Sequence, residues 1–347
     1  MDVYGLIHFI DESILPDADW FYNRYFRKPE NYPELTEWVS RYCFRTLKSQ
    51  VGGYVNFTER IPHTISYELT EEERALYKLL DEYLSQPRKL AYPQMKPYDL
   101  TLLFYHTVSS SPQALARTID GAIKRVEALP PFMDEAFRKR ELSQLGTILE
   151  KARAIPTNGK GQKLVSVLKS YFARLKKLGV PTKAVVFVEN LTTQKYLRTL
   201  LSSKGYANKV LLYNGTNSRD PLILDRFRND KTAQILLTTD EAARGLDMEF
   251  CPVVVNYDLL YNAIQLEQRI SRCHRQGQRA DVFAVNLLCK ENFADVRILG
   301  SSTSEFCSLA EFSVCLTIYW AILIRTQARC SPPHGRGRRL KRHLPIT

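Results

Sequence analysis

The feature that most constrains this chain is a stretch, residues 183–288, in which short apolar runs alternate with helical segments. The runs are continuous in Val, Ile and Leu, which is typical of strands buried on both faces of a sheet. Runs of this kind that alternate with amphipathic helices favour a parallel sheet with helices on both sides. We therefore predict a doubly wound α/β lobe whose strands read KAVVFV, KVLLY, QILLTT, PVVVNY and DVFAVNLL.

The preceding part of the chain has a helical pattern. The segment LTEEERALYKLLDEYL, which starts at Leu69, has Thr70 and Glu73 at capping-box spacing and a leucine stripe at helical intervals. A second helix is predicted at residues 161–177, and the proline-punctuated residues 86–131 between them read as loops around short helices. We predict a mainly helical region ahead of the α/β lobe.

Composition and charge exclude some classes of protein. The chain has 347 residues, of which 44% are hydrophobic and 25% charged, so disorder of the whole chain is excluded. Its 49 Lys and Arg against 37 Asp and Glu give a net charge of +12, which is compatible with a polyanionic partner. Residues 325–347 hold seven of these basic residues and no acid, so the excess is assigned to a tail and the body is only mildly basic.

Cysteine spacing and hydropathy bear on the compartment. The seven cysteines contain no CxxC pair, so neither a zinc ribbon nor a disulfide scaffold is indicated and no metal site is predicted. The N-terminus lacks the pattern of a secretory signal. The longest apolar run, residues 312–324, has 13 residues, against the roughly 20 that a spanning helix needs. We expect an intracellular protein without a membrane partner, cytoplasmic or nucleoid-associated in a bacterium and nuclear in a eukaryote.

The chemistry is expected in loops that follow the predicted strands. In an open parallel sheet the ligand site lies outside the carboxyl ends of the strands. Downstream of two such loops, Arg272 and Arg275 are three residues apart at the end of a predicted helix. Two guanidinium groups at this spacing suit a polyphosphate, because each can hold phosphate oxygens in a planar fork. Taken without context, the same pattern also describes a solvated basic helix end.

Four sequence motifs occur in order along this region. They read VFVEN at residues 186–190, LTTDEAARGLD at residues 237–247, NYD at residues 256–258 and QRISRCHRQGQ at residues 268–278. In this order and spacing they resemble motifs IV, V and VI of the second RecA-like lobe of superfamily 2 helicases, and specifically of Swi/Snf-family DNA translocases. The resemblance runs from near Met1 to about Leu299.

The resemblance implies roles for individual residues. Arg272 and Arg275 stand where the family has its catalytic arginine fingers. The expected nucleotide contacts are Gly245, Asp247 and Gln268, and the expected DNA contacts are Asn190, Thr238 and Thr239. The family uses ATP with Mg²⁺ and moves along double-stranded DNA.

The sequence lacks other parts of such an ATPase. The Gly159-Lys160 pair does not fit the phosphate-binding pattern GxxxxGK[ST], since Ala154 precedes it and Gly161 follows it. The acidic pair Asp240-Glu241 imitates a metal-binding box, but it is part of motif V. We therefore expect the ATP-binding lobe, with its metal ligands, to be missing from this chain and the chain to be inactive alone.

These observations give predicted domain limits. They are residues 1–68 for a remnant of the first lobe after motif III, 69–160 for a helical linker or insertion, 161–299 for the second RecA-like lobe and 300–347 for a tail unlike the family. The tail is interpreted as an out-of-frame or disordered end, or alternatively as a basic arm that binds phosphates.

Two other functions remain open at this stage. One is a non-catalytic module that binds nucleic acid or a partner protein without ATP. The other is a fragment of a DEAD-box RNA helicase, which the string TDEAARGLD favours.

Overall fold

The computed structural model describes residues 2–26, 28–42, 57–130, 135–217, 220–260, 263–292 and 295. Packing divides the chain into two units, Met1–Phe57 and Thr58–Thr347. The predicted tail at residues 300–347, with its apolar run and its arginine cluster, lies outside the described residues.

The first unit contains three short helices, α1 (Asp2–Ile10), α2 (Ala18–Tyr25) and α3 (Tyr32–Val39). The Asp17 side chain caps α2 by accepting a hydrogen bond from the Trp20 amide. A small core holds the unit together and consists of Ile7, Leu15, Phe21 and Tyr25.

The second unit contains one sheet of six parallel strands. The strands are β1 (Arg60–Tyr67), β2 (Ala184–Phe187), β3 (Val210–Tyr213), β4 (Ile235–Thr238), β5 (Val253–Asn256) and β6 (Val282–Cys289). Their order in the sheet is β1-β6-β5-β2-β4-β3, and every neighbouring pair runs parallel. This is the predicted α/β architecture, a RecA-like parallel sheet, and all five predicted strands are present.

Helices cover both faces of this sheet, and the strand side chains alternate between two cores. In β2, Val186 belongs to one hydrophobic cluster and Val185 and Phe187 to the other. The same alternation occurs along β4 and β5. Because both faces are dry, these strands need the continuous apolar runs that the sequence shows.

The helices of the second unit follow in chain order. They are α4 (Glu71–Leu84), α5 (Pro97–Ser110), α6 (Pro112–Glu127), α7 (Glu135–Ala154), α8 (Gly159–Leu178), α9 (Leu191–Leu201), α10 (Pro221–Asn229), α11 (Asp240–Ala243) and α12 (Ala263–Ser271). The predicted capping box of α4 is present, since Thr70 and Glu73 each bond the other's backbone amide. None of the described helices combines the length and the apolar character needed to cross a bilayer.

One strand was not predicted from the sequence. β1 reads RIPHTISY, which contains Pro62 and polar residues, and it pairs along its whole length with β6. It lies at the edge of the sheet, where a proline is tolerated. Residues 60–67, which the sequence analysis grouped with the first-lobe remnant, are therefore part of the same sheet as the second lobe. The predicted domain limits otherwise stay predictions.

Candidate active site

The motif residues converge at one edge of the sheet. Because the strands are parallel, the segments that follow β2, β4 and β5 leave the sheet at the same edge. Motif V supplies the segment after β4, and α12 brings motif VI to it. This edge is where the predicted catalytic and nucleotide-binding residues lie.

Arg269 joins motif VI to motif V. Its side chain is only 1% exposed. Its Nε and Nη2 donate to the two carboxylate oxygens of Asp240 at 2.6 and 2.5 Å, and its Nη1 donates to the Asp258 carbonyl oxygen at 2.6 Å. A guanidinium group held in a bidentate bond on one side and by a carbonyl on the other is fixed in position. Arg269 is not among the site residues predicted from the sequence.

Arg272 is placed differently. It is half-buried and lines a small cavity together with Gln268, Arg269 and Arg244. The other residues around this cavity are Phe187, Asp240, Ala243 and Gln265. Among the residues that the structure describes, Arg272 has no ion-pair partner. Its carbonyl oxygen accepts a hydrogen bond from the Met248 amide at 2.9 Å, which fixes the backbone at this position, and its side chain lines the cavity.

Arg275 and Asp247 form an ion pair with each other. Their side chains are 43% and 56% exposed. The structure thus brings together Arg275, a predicted arginine finger, and Asp247, a predicted nucleotide contact. In this pair the carboxylate neutralises the charge of the guanidinium group. Phosphate binding by Arg275 would require it to leave Asp247.

Gly245 makes the turn between Arg244 and Asp247 possible. Its φ is +80°, in the left-handed region that side-chain-bearing residues rarely adopt. The turn places Asp247 within reach of Arg275.

The predicted DNA contacts occupy three different environments. Asn190 caps α9, since its Oδ1 accepts from the Thr193 amide at 2.8 Å. Thr238 is fully buried, and its hydroxyl donates to the Thr239 carbonyl oxygen at 3.2 Å. Thr239 is half-buried. The side chains of Asn190 and Thr239 therefore lie at the surface of this edge, whereas that of Thr238 is in the interior.

A buried charge network lies beside Asn190. Lys160 and Asp258 are 2% and 1% exposed, and their Nζ and Oδ1 atoms are 3.2 Å apart. The second oxygen of Asp258 accepts from the Glu189 amide and the Ser110 hydroxyl, each at 2.9 Å. These residues come from α8, the segment after β5, the loop after β2 and α5, so the network ties the helical region to the motif IV loop.

His106 extends the network towards solvent. Its Nδ1 is 2.7 Å from a Glu189 carboxylate oxygen, and its Nε2 is 3.1 Å from the Leu259 carbonyl oxygen. Burial lowers the pKa of His106, but the hydrogen bond and charge of Glu189 outweigh it and raise the pKa to about 9. Burial acts to raise the pKa of Asp258, but Lys160 and His106 outweigh it and hold the carboxylate below its usual range.

The network explains the Gly-Lys-Gly string at residues 159–161. A Cβ at Gly159 would lie 2.2 Å from the Glu68 carbonyl oxygen, and one at Gly161 would lie 2.6 Å from the Tyr196 hydroxyl. Both glycines are required because neighbouring groups approach closely, and Lys160 between them points to Asp258. The string is therefore a packing feature.

Gln278 fixes the segment that carries Arg275. Its side-chain amide donates to the carbonyl oxygens of Cys251 and Cys273, both at 3.2 Å. The QRISRCHRQGQ motif thus ends in a residue that ties it to the loop before β5. This accounts for the last residue of the pattern in structural terms.

Comparison with known families agrees with this geometry. Residues 163–277 match the helicase conserved C-terminal domain. The match covers about a third of the chain, and this part is similar to a helicase C-terminal domain. The matched range starts within α8 and ends just after α12, and it includes all eight residues for which a site role is predicted from the sequence.

Three similar proteins illustrate the range of relatives. An uncharacterized ATP-dependent helicase of Bacillus subtilis, YqhH, is 24% identical over 292 residues, which are 83% of this chain and 48% of that protein. An ATP-dependent rRNA helicase of Ajellomyces capsulatus, RRP3, is 28% identical over 185 residues, or 53% of this chain and 34% of that protein. The crystal structure of the C-terminal part of the Fun30 ATPase domain has a TM-score of 0.51 and 18% identity, and covers 71% of this chain and 90% of that one.

The similar proteins are longer than this chain and differ in the nucleic acid for which they are named. The chain spans about half the length of the Bacillus relative and about a third of the fungal one. The relatives include helicases that are named for RNA substrates, so the family relationship alone leaves the choice between DNA and RNA open. The likeness to Fun30 concerns the fold.

Proposed function

We propose that this chain acts as the C-terminal lobe of an ATP-dependent, Swi/Snf-like translocase on double-stranded DNA. In this proposal ATP binds between the sheet edge described above and a second lobe that provides the P-loop and the Mg²⁺ ligands. The observation that carries the proposal is the small cavity where Gln268 and Arg272 meet motif V. The half-buried Arg272, with no ion pair among the described residues, suits an anionic phosphate oxygen.

In this proposal the residues of the sheet edge have different roles in ATP binding and hydrolysis. Arg269 holds α12 against Asp240, so that Arg272 is positioned without being neutralised. Gln268, Gly245 and Asp247 contact the nucleotide, and Arg275 exchanges Asp247 for a phosphate oxygen. ATP supplies the phosphoryl group that is transferred to water, and the arginines stabilise the negative charge on its oxygens.

The DNA contacts are proposed for the neighbouring surface. Asn190 at the start of α9 and Thr239 after the end of β4 would bind the phosphate backbone, and the fully buried Thr238 would hold the segment that carries Thr239. The segments at the start of α9 and at the end of β4 adjoin the proposed nucleotide-binding residues. Closure of the two lobes on ATP can therefore change the contacts of these segments with DNA.

The test is Arg272→Ala in this chain joined to a P-loop-bearing ATP-binding lobe. An arginine finger contributes about 10³ to 10⁵ to the rate of phosphoryl transfer, so we expect DNA-stimulated ATP hydrolysis to fall by at least about 10³-fold. Arg244→Ala, which removes another arginine from the same cavity, is the matched control and should have a much smaller effect. ATP hydrolysis that survives in Arg272→Ala would contradict the finger assignment.

RNA is the alternative substrate, and two observations favour it: the TDEAARGLD string and the likeness to the rRNA helicase. Hydrolysis measured with duplex DNA and with RNA of the same sequence separates the two. Stimulation by RNA alone would replace the translocase proposal with a DEAD-box-like RNA helicase. If the affinity for nucleic acid changes neither on addition of ATP nor in Arg272→Ala, a non-catalytic binding module is favoured.

A further inference from the structure

The positive charge of the described chain is concentrated in one segment. Residues 159–209 contain 11 Lys and Arg and a single acid, Glu189. The structure removes two of these cations from the surface. Lys160 is buried against Asp258, and the Lys183 ammonium donates to the carbonyl oxygens of Asp230 and Ala233, each at 3.0 Å. The other nine are exposed or half-exposed.

Five of the nine lie on α8. They are Lys163, Lys169, Arg174, Lys176 and Lys177. The helix buries its apolar face, with Leu164 and Leu168 fully enclosed, and directs these cations outwards. With 20 residues at about 1.5 Å each, the cationic helix is about 30 Å long.

α9 continues the same surface. Its cations Lys195 and Arg198 are exposed and three residues apart, hence on one face. α8 and α9 contact each other and share one hydrophobic cluster, so both cover the same side of the sheet. Lys204 and Lys209 follow directly after α9. We call the outer face of α8, α9 and these two residues the basic face.

Acidic side chains of the described residues do not neutralise the basic face. Among the described residues, none of its nine cations takes part in an ion pair. Charges of one sign that are held together without counterions raise the local potential and attract a polyanion. The motif residues of the sheet edge are not part of this face.

We propose that the basic face binds the phosphate backbone of a nucleic-acid duplex, as a second contact outside the motif IV and V surface. The alternative partner is an acidic protein. The character of the residues exposed between the cations favours a nucleic-acid duplex over such a protein. On α8 they include Gln162, Ser166 and Ser170, which can hydrogen-bond phosphates. The exposed large apolar residue of α8, Leu178, lies at its end, whereas a protein interface needs an apolar centre.

The proposal rests on the proposed function only in taking nucleic acid as the partner. A second contact would keep the chain on the duplex while the sheet edge releases it. The binding would be independent of sequence and strongly dependent on salt, because each neutralised phosphate releases a counterion.

The experiment measures the affinity of the full chain for a 20-base-pair DNA duplex by fluorescence anisotropy at several salt concentrations. Two variants remove charge from the basic face, Lys169→Gln/Lys176→Gln and Lys195→Gln/Arg198→Gln. The control Lys78→Gln/Lys96→Gln removes the same charge from exposed positions on α4 and just before α5. Thermal melting checks that all three variants fold.

We expect each variant of the basic face to lower the slope of log K against log salt by about 1 to 2, since each cation on a phosphate contributes about 0.9. The control should leave the slope within about 0.3 of the parent, an allowance for the smaller net charge. An RNA duplex of the same sequence should respond in the same way, because the contact is with phosphates.

Three results would overturn the proposal. They are slopes in both variants equal to that of the control, no duplex binding by the parent chain, and equal competition by a polyglutamate peptide of the same charge. The outcome is separate from that of the finger test. If the variants of the basic face do not change the salt slope, the prediction for Arg272→Ala still stands. If Arg272→Ala still hydrolyses ATP, the prediction for the salt slope still stands.

Discussion

Two clusters of charge lie at the same edge of the sheet and are built on opposite principles. In the buried network Lys160 and Asp258 are almost completely enclosed and pair with each other. Asp258 also accepts from the Glu189 amide and the Ser110 hydroxyl, and Lys160 donates to the Ser109 hydroxyl. In the second cluster, formed by Arg272, Arg275 and Asp247, Arg272 is half-buried and has no ion pair among the described residues, and Arg275 is paired with Asp247 at the surface. Charges that are matched inside the fold hold its elements together, whereas the charges at the edge of the sheet remain accessible to solvent.

The largest effect is expected from breaking the buried pair. Asp258→Leu leaves the Lys160 ammonium buried without a counterion, and loss of one partner of such a pair costs about 3 to 5 kcal/mol. The free energy of unfolding, measured in urea, should fall by this amount.

A double variant makes this prediction sharper. Lys160→Met/Asp258→Leu replaces both charges with apolar groups of similar size, which is often nearly neutral. The double variant should therefore regain most of the stability lost in the single one. A double variant as unstable as Asp258→Leu would mean that the hydrogen bonds of Asp258, and not its charge, hold the network.

The pH dependence of His106 gives the next largest effect. Its pKa is about 9 in the folded protein against an ordinary value of 6.5. A raised pKa stabilises the fold fully below pH 6.5, and this contribution is lost as the pH rises through 9. Because Glu189 is 45% exposed, solvent screens the pair and we expect a loss of about 1 to 2 kcal/mol between pH 6.5 and 9.5.

His106→Gln is the control for this titration. Glutamine can still hydrogen-bond to Glu189 but has no charge to lose. The stability difference between the parent and His106→Gln should therefore shrink as the pH rises from 6.5 to 9.5. A difference that stays constant over this range would show that His106 is not charged in the folded state.

The smallest effect is expected at the exposed pair. Asp247→Asn removes the partner of Arg275 where both side chains are largely in water, so stability should change by less than about 1 kcal/mol. Urea unfolding checks this value beside that of Asp258→Leu. If Asp247→Asn lowers the free energy of unfolding as much as Asp258→Leu does, the two clusters do not differ in their contribution to stability.

The sequence predicts the parts of this fold that repeat a simple pattern. Strands buried on both faces are apolar at most positions, so β2 to β6 are visible as largely apolar runs. The buried Asn256 of β5 and Asn286 of β6 are exceptions and hydrogen-bond to each other. β1 escapes this rule because an edge strand accepts Pro62 and His63. The capping box at Thr70 is local and is read directly from residue spacing.

The site is less predictable because its contacts are distant in sequence. Spacing places Arg272 and Arg275 near a helix end, but it cannot tell that Arg269, one turn earlier, is the buried arginine. The pairing of Asp258 with Lys160, 98 residues away, follows from the fold alone. The eight residues named from motif resemblance lie at or near one sheet edge, and their roles remain predictions.

The charge distribution was also misjudged from composition. Assigning the excess to residues 325–347 left a mildly basic body, but that average combines the strongly basic residues 159–209 with a remainder that is slightly acidic. Net charge over a whole domain conceals such a segment, because helices of opposite charge cancel in the sum.

The pairing of β1 with β6 has a consequence for synthesis on the ribosome. Arg60 is aligned with Val282, so the first strand waits for 222 further residues before its partner exists. At about 5 to 20 residues per second this delay is about ten to forty seconds. During that time β1 is an unpaired strand, and its proline, histidine and threonine make it a poor template for association with other chains. The polar sequence that hid β1 from pattern analysis is thus the property that protects the nascent chain.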